Sequence, residues 1–306
     1  MAQLEIAVGQ MGPVPQGNTR ESTVERLVDL LREAAHRGCH LIVFPELALT
    51  PFFPRAAGDP DDFPEFFEDT MPSQAVEPLF REAARLHVGF CLGFAEKVID
   101  EEEVRYFNAS VLVDRRGRII GKYRKTHIPG LPEAAQGEAD QRFEGRTANF
   151  EKRYFEPGNL GFPVFKFEGV SIGMAICNDR RWPETYRSLA GNGAEVVLIG
   201  YNTMARRRLI TGDGSISEPG HLALFHNDLV MQAGAYQNAV WVVAAARAGE
   251  EDGGYLIGGS GVIAPTGEIV ARALTQSDEL VASRIDTSYC ELYRRSVWND
   301  AALAPP

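Results

Sequence analysis

VLVDRRGRIIGK at residues 111–122 and GVIAPTGEIVAR at 261–272 share one pattern: an apolar run, a polar turn around a glycine, and a second apolar run. They align 150 residues apart, and each closes a similar series. Before the first come the strand IAVGQ, the helix NTRESTVERLVDLLREAAHRG, the strand CHLIVFPE, the helix AVEPLFREAARLHVG and the strand FCLGFAE. The second follows the strand VSIGMAIC, the helix PETYRSLAGNG, the strand EVVLIGYN, the helix HLALFHNDLVMQAGAYQN and the strand VWVVAAARA. A chain that repeats β-α-β units and ends each set in an antiparallel hairpin has few ways to bury its strands.

The strands are apolar without in-out alternation, as sheets covered on both faces are. No Pro/Gly/Ser-rich linker divides the halves. The expected fold is therefore α/β, two sheets face to face with helices outside, a four-layer α-β-β-α sandwich forming a single domain over residues 1–306. The first helix places Val24, Leu27, Val28, Leu31 and Ala35 on one face. Asn18 with Glu21 is its expected capping box, and Gly38 closes it. The first hairpin is expected to turn at Arg115 to Gly117.

Composition removes several function classes. A net charge of −11 without a Lys/Arg-rich run gives no footprint for nucleic acid. Acidic clusters such as Glu101–Glu103 and Glu250–Asp252 read as solvated loops. No apolar stretch reaches the roughly 18 residues of a membrane span, and MAQLEIAVGQ lacks the plan of a secretory signal, so a cytoplasmic location is expected. The four cysteines form no C-x-x-C pair and the six histidines are dispersed apart from His36 and His40, so neither a disulfide framework nor a metal site is expected, and no cofactor. The glycines of GYLIGGSG do not match a phosphate loop and read as close strand packing.

Ligands of α/β sheets sit at the carboxyl ends of strands, and three polar residues end apolar runs there. Glu46 ends LIVFPE, Lys125 follows the first hairpin in GKYRKTHIPG, and Cys177 ends IGMAIC before a helix. Carboxylate, amine and thiol are the parts of covalent hydrolysis: base, oxyanion stabiliser and nucleophile. Each has a plainer reading alone, as a helix cap, a solvated lysine and a core cysteine. The strand-to-helix position of Cys177 favours a thiolate through backbone N–H groups and the helix dipole. Two adjacent arginines, Arg180 and Arg181, suit bidentate recognition of a free carboxylate, or alternatively brace the surface. Asn202 ends another apolar strand as a candidate substrate contact, and His127 reads as a hydrogen-bonding wall residue.

FPELAL, KYRKTHIPG and ICNDRRWPE together resemble the carbon-nitrogen hydrolase (nitrilase) superfamily, whose members use a Glu-Lys-Cys triad on an α-β-β-α sandwich. AVGQMGP, FPELALTPFFPR, EKRYFEPGNLGFPV, CNDRRWPET, GYNT, MQAGAYQN and VIAPTGEIV are similar to N-carbamoyl-D-amino-acid hydrolases. The resemblance implies catalytic Glu46, Lys125 and Cys177, with Glu151 beside them to orient Lys125 or the substrate nitrogen. It associates Arg180 and Arg181 with the carboxylate of a small anionic substrate and gives the backbone N–H of Asn178 to the oxyanion. It implies hydrolysis of an N-carbamoyl-D-amino acid to the D-amino acid, ammonia and carbon dioxide, by a homo-oligomer, dimer or tetramer. The alternatives are an amidase, ureidopropionase or nitrilase acting on another small C–N substrate, and a binding protein that keeps the sandwich without catalysis. The sequence departs from the family at Asn149, where a histidine is usual, in a longer segment over 131–150, and in a short C-terminus after Asn299.

Overall fold

The computed structural model describes residues 3–56, 58–100, 103–130, 149–205, 207–211, 214–218 and 220–297. The longer segment anticipated over 131–150 lies, up to residue 148, outside the described residues, as does the tail after Asn299.

Two six-stranded paths carry the architecture. In the first half are β1 (Gln3–Gln10), β2 (Leu41–Val43), β3 (Gly89–Asp100), β4 (Glu103–Val113) and β5 (Ile119–Arg124). The second half supplies β6 (Val164–Phe167), β7 (Val170–Ile176), β8 (Val196–Tyr201), β9 (Trp241–Ala246), β10 (Gly261–Ile263), β11 (Ile269–Arg272) and β12 (Glu279–Asp286). One sheet runs β12-β1-β2-β3-β4-β5 and the other β11-β10-β9-β8-β7-β6. Each has three parallel strands at its centre, β1-β2-β3 and β7-β8-β9, and antiparallel strands outside. The two hairpins match in detail, for each shifts register at the equivalent place, between Leu112 and Val113 and between Val262 and Ile263. Strand β12 returns from the second half to pair with β1, joining the halves through one sheet.

Alternation of burial explains why the strands read as continuously apolar. Leu4, Ile6, Val8, Leu41, Val43 and Cys91 pack with Ile172, Met174, Val196, Leu198 and Val243 between the sheets. Their neighbours Ala7, Ile42, Phe90 and Leu92 face the other way, against Val24, Leu27 and Leu31 of α1 (Arg20–His36) and Leu79, Phe80 and Ala83 of α2 (Glu77–Leu86). With both faces buried, the period-two signal disappears. The α-β-β-α sandwich is the fold expected from the sequence.

One local expectation is corrected. The first helix is capped by Thr19, whose hydroxyl accepts from Ser22 N, not by Asn18 with Glu21. Thr19 has the extended backbone that a cap requires, and the helix begins one residue later than the Asn18 box needs. Among the described residues, no helix is long and apolar enough to cross a membrane.

Candidate active site

The turn after β2 carries Glu46 into the seam between the sheets, and two glycines make the approach possible. A Cβ on Gly93 of β3 would stand 2.8 Å from Glu46 Cα, and one on Gly200 of β8 2.6 Å from Glu46 N. Neither distance is tolerable against backbone, so both sheets keep glycine there. Leu47, next in the turn, has φ 46.

Lys125 follows the end of β5, and Glu151 opens a short helix, α3 (Glu151–Tyr154). Both are fully buried, as is Glu46. Lys125 Nζ donates to Glu46 Oε1 at 2.8 Å and to Glu151 Oε2 at 2.5 Å. Glu46 also accepts from Asn108 Nδ2 at 2.7 Å and Asn202 N at 3.0 Å, while Asn202 Nδ2 donates to Glu46 O at 2.8 Å. Asn149 holds Glu151 at both ends: its Oδ1 accepts from Glu151 N at 3.0 Å and its Nδ2 donates to Glu151 Oε1 at 3.2 Å. The residue that departs from the family pattern thus still supplies Glu151 with a partner.

Cys177 leaves β7 with φ 47, a left-handed conformation that side chains adopt at a cost and that is often stored at functional sites. A tight 3-10 turn over Cys177–Arg181 separates it from α4 (Pro183–Gly191). Cys177 Sγ donates to Asn202 O at 3.4 Å. Ligand atoms of Glu46, Glu151 and Cys177 lie within 4.8 Å of one another, a spacing that would suit a cation. The chain itself provides that cation, the ammonium of Lys125.

Electrostatics follow from this burial. Desolvation works against a charged Lys125, but the charges of Glu151 and Glu46 outweigh it and hold the amine well above the ordinary lysine range. Burial, with Glu46 adding to it, lifts the Glu151 carboxyl to about 7 against the pull of Lys125. Two carboxylates sharing one ammonium cannot both be fully compensated, so one of them keeps its proton more readily. For Cys177, burial and then the Glu46 charge push the thiol up to about 11, against Lys125 and Arg180. Burial thus offsets what the strand-to-helix position of Cys177 was expected to contribute towards a thiolate. The turn after β7 is too short to act as a helix terminus, and the thiol must be deprotonated by a neighbouring base as it attacks.

The arginine pair divides. Arg180 is buried, with Nη1 donating to Cys177 O at 2.6 Å and standing 3.7 Å from Cys177 Sγ. Its Nε donates to Asn227 Oδ1 at 3.0 Å, its Nη2 to Thr203 Oγ1 at 2.7 Å, and its Cζ lies 4.4 Å above the Tyr201 ring. Arg181 is half-buried. Asn178 donates through its side chain to His127 O at 3.1 Å. His127 bonds through N and Nδ1 to Asp179 Oδ1, at 2.9 and 2.8 Å, and stacks on Trp182 at 5.0 Å.

Sequence reasoning had not singled out Asp179, Asn108, Asn227 or Thr203. Asp179 is fully buried and ties Tyr123 OH, His127 and Ile176 N to the turn that bears Cys177. A polar residue inside CNDRR was visible, but its partners are 52 and 56 residues away.

The carbon-nitrogen hydrolase family profile matches residues 5–295. N-carbamoylputrescine amidase of Arabidopsis thaliana is 31% identical over 293 residues, covering 91% of this chain and 85% of that protein. A nitrilase of Pyrococcus abyssi is 30% identical, covering 92% and 90% of the two chains. Among solved structures, a carbon-nitrogen hydrolase from Helicobacter pylori G27 superposes with a TM-score of 0.78 at 23% identity, over 98% of this chain and 94% of that one. An amidase from Nesterenkonia sp. AN1 does so at 0.69 and 19% identity, over 98% and 97%.

Proposed function

The chain belongs to the carbon-nitrogen hydrolase family, and from that premise we propose that it hydrolyses the ureido C–N bond of N-carbamoyl-D-amino acids through Cys177. The coarser activity, hydrolysis of non-peptide C–N bonds by a cysteine nucleophile, is that of the family.

Glu46 takes the proton of the Cys177 thiol as sulfur attacks the ureido carbonyl carbon. Lys125, held by Glu46 and Glu151, and the backbone N–H of Asn178 face the oxygen that becomes negative. Collapse of the tetrahedral intermediate breaks a C–N bond, and Glu46 returns the proton to the departing nitrogen. Water, deprotonated by Glu46, then cleaves the thioester-like intermediate and restores the thiol. The carbamic acid so released breaks its remaining C–N bond by losing carbon dioxide, so one substrate and one water give the D-amino acid, ammonia and carbon dioxide. Asn202 contacts the substrate from the end of β8, and His127 forms part of the wall.

The observation that carries an anionic substrate is Arg180. Its guanidinium is buried beside the nucleophile and bonded to neutral groups: a carbonyl, an amide and a hydroxyl. A buried cation gains from an anion brought next to it. A substrate ending in an ammonium, as N-carbamoylputrescine does, would instead meet like charge. The similarity of CNDRRWPET and EKRYFEPGNLGFPV to the N-carbamoyl-D-amino-acid hydrolases supports the same choice and is the ground for the D configuration. A neutral amidase is favoured by the same residue read differently, since three Arg180 donors are already engaged within the protein.

Ammonia release decides between them. Across N-carbamoyl-D- and L-amino acids, N-carbamoylputrescine, simple amides and nitriles, kcat/KM should be highest for the N-carbamoyl-D series. A neutral amide or a nitrile at the top of that ranking overturns the proposal.

A further inference from the structure

A second fully buried ion pair lies outside the triad. Arg247 follows β9, Glu251 stands four residues on, and their side chains meet at 3.1 Å with no exposure. Both reach across to the other half of the chain. Arg247 Nη2 donates to Leu47 O at 2.9 Å and Nη1 to Thr50 O at 2.7 Å. Glu251 accepts from Phe52 N at 2.7 Å through one oxygen and from Val14 N at 2.8 Å through the other. The turn carrying Glu46 is thereby fixed at three backbone points within six residues of it.

We propose that Arg247 and Glu251 are positioning residues for Glu46, a clamp that fixes the backbone turn from which the base reaches Cys177 and Lys125. The proposal rests on the reading of Glu46 as that base. Leu47, whose carbonyl Arg247 holds, has the left-handed φ of 46, which a side-chain-bearing residue leaves unless it is held. A guanidinium fork can bind two carbonyls and a carboxylate together, which no neutral side chain of that reach does. Stability alone does not account for the pair, since apolar replacements of buried ion pairs are often neutral or stabilising. Arg247 Nε, moreover, finds no partner among the described residues, a further cost of keeping the charge there. Fixing a reacting group is where such a cost is recovered, because a misplacement of about 1 Å is worth up to ~100-fold in rate.

The test compares wild type with Arg247→Met/Glu251→Gln, which removes both charges together, and with Arg247→Lys, which keeps the charge without the fork. On the best N-carbamoyl substrate, the double variant should lose about 10- to 100-fold in kcat with KM within about twofold, and Arg247→Lys should fall between it and wild type. Combined with Glu46→Gln, the clamp variant should add little further loss, because both act through one carboxylate. Circular dichroism and thermal melting verify folding. Should the double variant not fold, Arg247→Lys carries the test: kcat reduced at unchanged melting temperature supports the clamp, and unchanged kcat overturns it. Normal kcat in a folded double variant, or losses that multiply with Glu46→Gln, also overturns it. If Glu46→Gln itself turns over normally, the base reading falls and the clamp with it. If Glu46→Gln is inactive while the double variant is normal, only the clamp falls.

Discussion

Arg180 donates from Nη1 to the carbonyl of Cys177 at 2.6 Å and stands 3.7 Å from its sulfur. One side chain therefore fixes the left-handed turn at the nucleophile and places a buried positive charge beside it. The thiol is nonetheless pushed up to about 11, because burial and Glu46 outweigh Arg180 and Lys125. On the proposed mechanism the thiol becomes reactive as Glu46 receives its proton.

Selective labelling tests that dependence. All four cysteines are buried, and burial lifts Cys39, Cys91 and Cys290 as well. Only Cys177 has Glu46 within 4.8 Å of its sulfur in this cluster. Iodoacetamide should modify Cys177 first in the native protein, Glu46→Gln should slow that step by about 10²-fold or more, and Cys177→Ala should abolish turnover with the fold intact. Peptide mass spectrometry reads the order of labelling; full activity after stoichiometric modification of Cys177 refutes the mechanism.

Much of this could be read from the sequence, for physical reasons that also mark its limits. The central strands were legible because both faces are buried, and Glu46 and Cys177 because each interrupts an apolar run where a strand ends. Strand β12 was not, since ELVASRID mixes buried Leu280 and Ile285 with exposed positions at the sheet edge. Glu251, read from the sequence as part of a solvated acidic loop, is instead fully buried, and the clamp was hidden because its backbone partners, Leu47 and Phe52, lie about two hundred residues away along the chain. What raises the Cys177 thiol was not legible, because burial and the Glu46 charge are properties of the packed site, whereas the sequence showed only the strand-to-helix junction.

Glu151 makes a prediction about pH. Its folded carboxyl titrates at about 7, lifted first by burial, whereas an unfolded glutamate titrates near ~4.3. Between those values the native state holds a proton that the unfolded chain has lost. The contribution to stability is therefore complete below about pH 4.3 and is lost as pH rises through about 7. Thermal melting from about pH 5 to 7 should show a steeper fall for wild type than for Glu151→Gln, which cannot titrate. Equal slopes would assign the proton elsewhere in the Glu46–Lys125–Glu151 set.

Assembly is a further expectation. Phe225, Leu229 and Leu292 are each about half exposed or more on the helices over Gly220–Asn238 and Ser288–Ser296, an arrangement that self-association would bury. Sedimentation at micromolar concentration should find a dimer or larger, and a species of only 33.7 kDa would contradict it.

The arginine pair gives the sharpest separation of substrates, because the two residues sit in different surroundings. Arg180 braces Cys177 O, Asn227 and Thr203 from a buried position and brings the charge that favours an anion, so Arg180→Leu should lower melting temperature and reduce turnover of both charged and neutral substrates, the charged more. Arg181 is half-buried at the end of that turn, so it is the residue expected to meet the substrate carboxylate from the solvent side. Losing a charge-assisted bond costs roughly 1.5–3 kcal/mol, a factor of about 10 to 160. Arg181→Leu should therefore cut kcat/KM by that factor for an N-carbamoyl amino acid and far less for its amide analogue. Equal losses on the two substrates would leave neither arginine a carboxylate to bind, and would move the protein towards the neutral amidase reading.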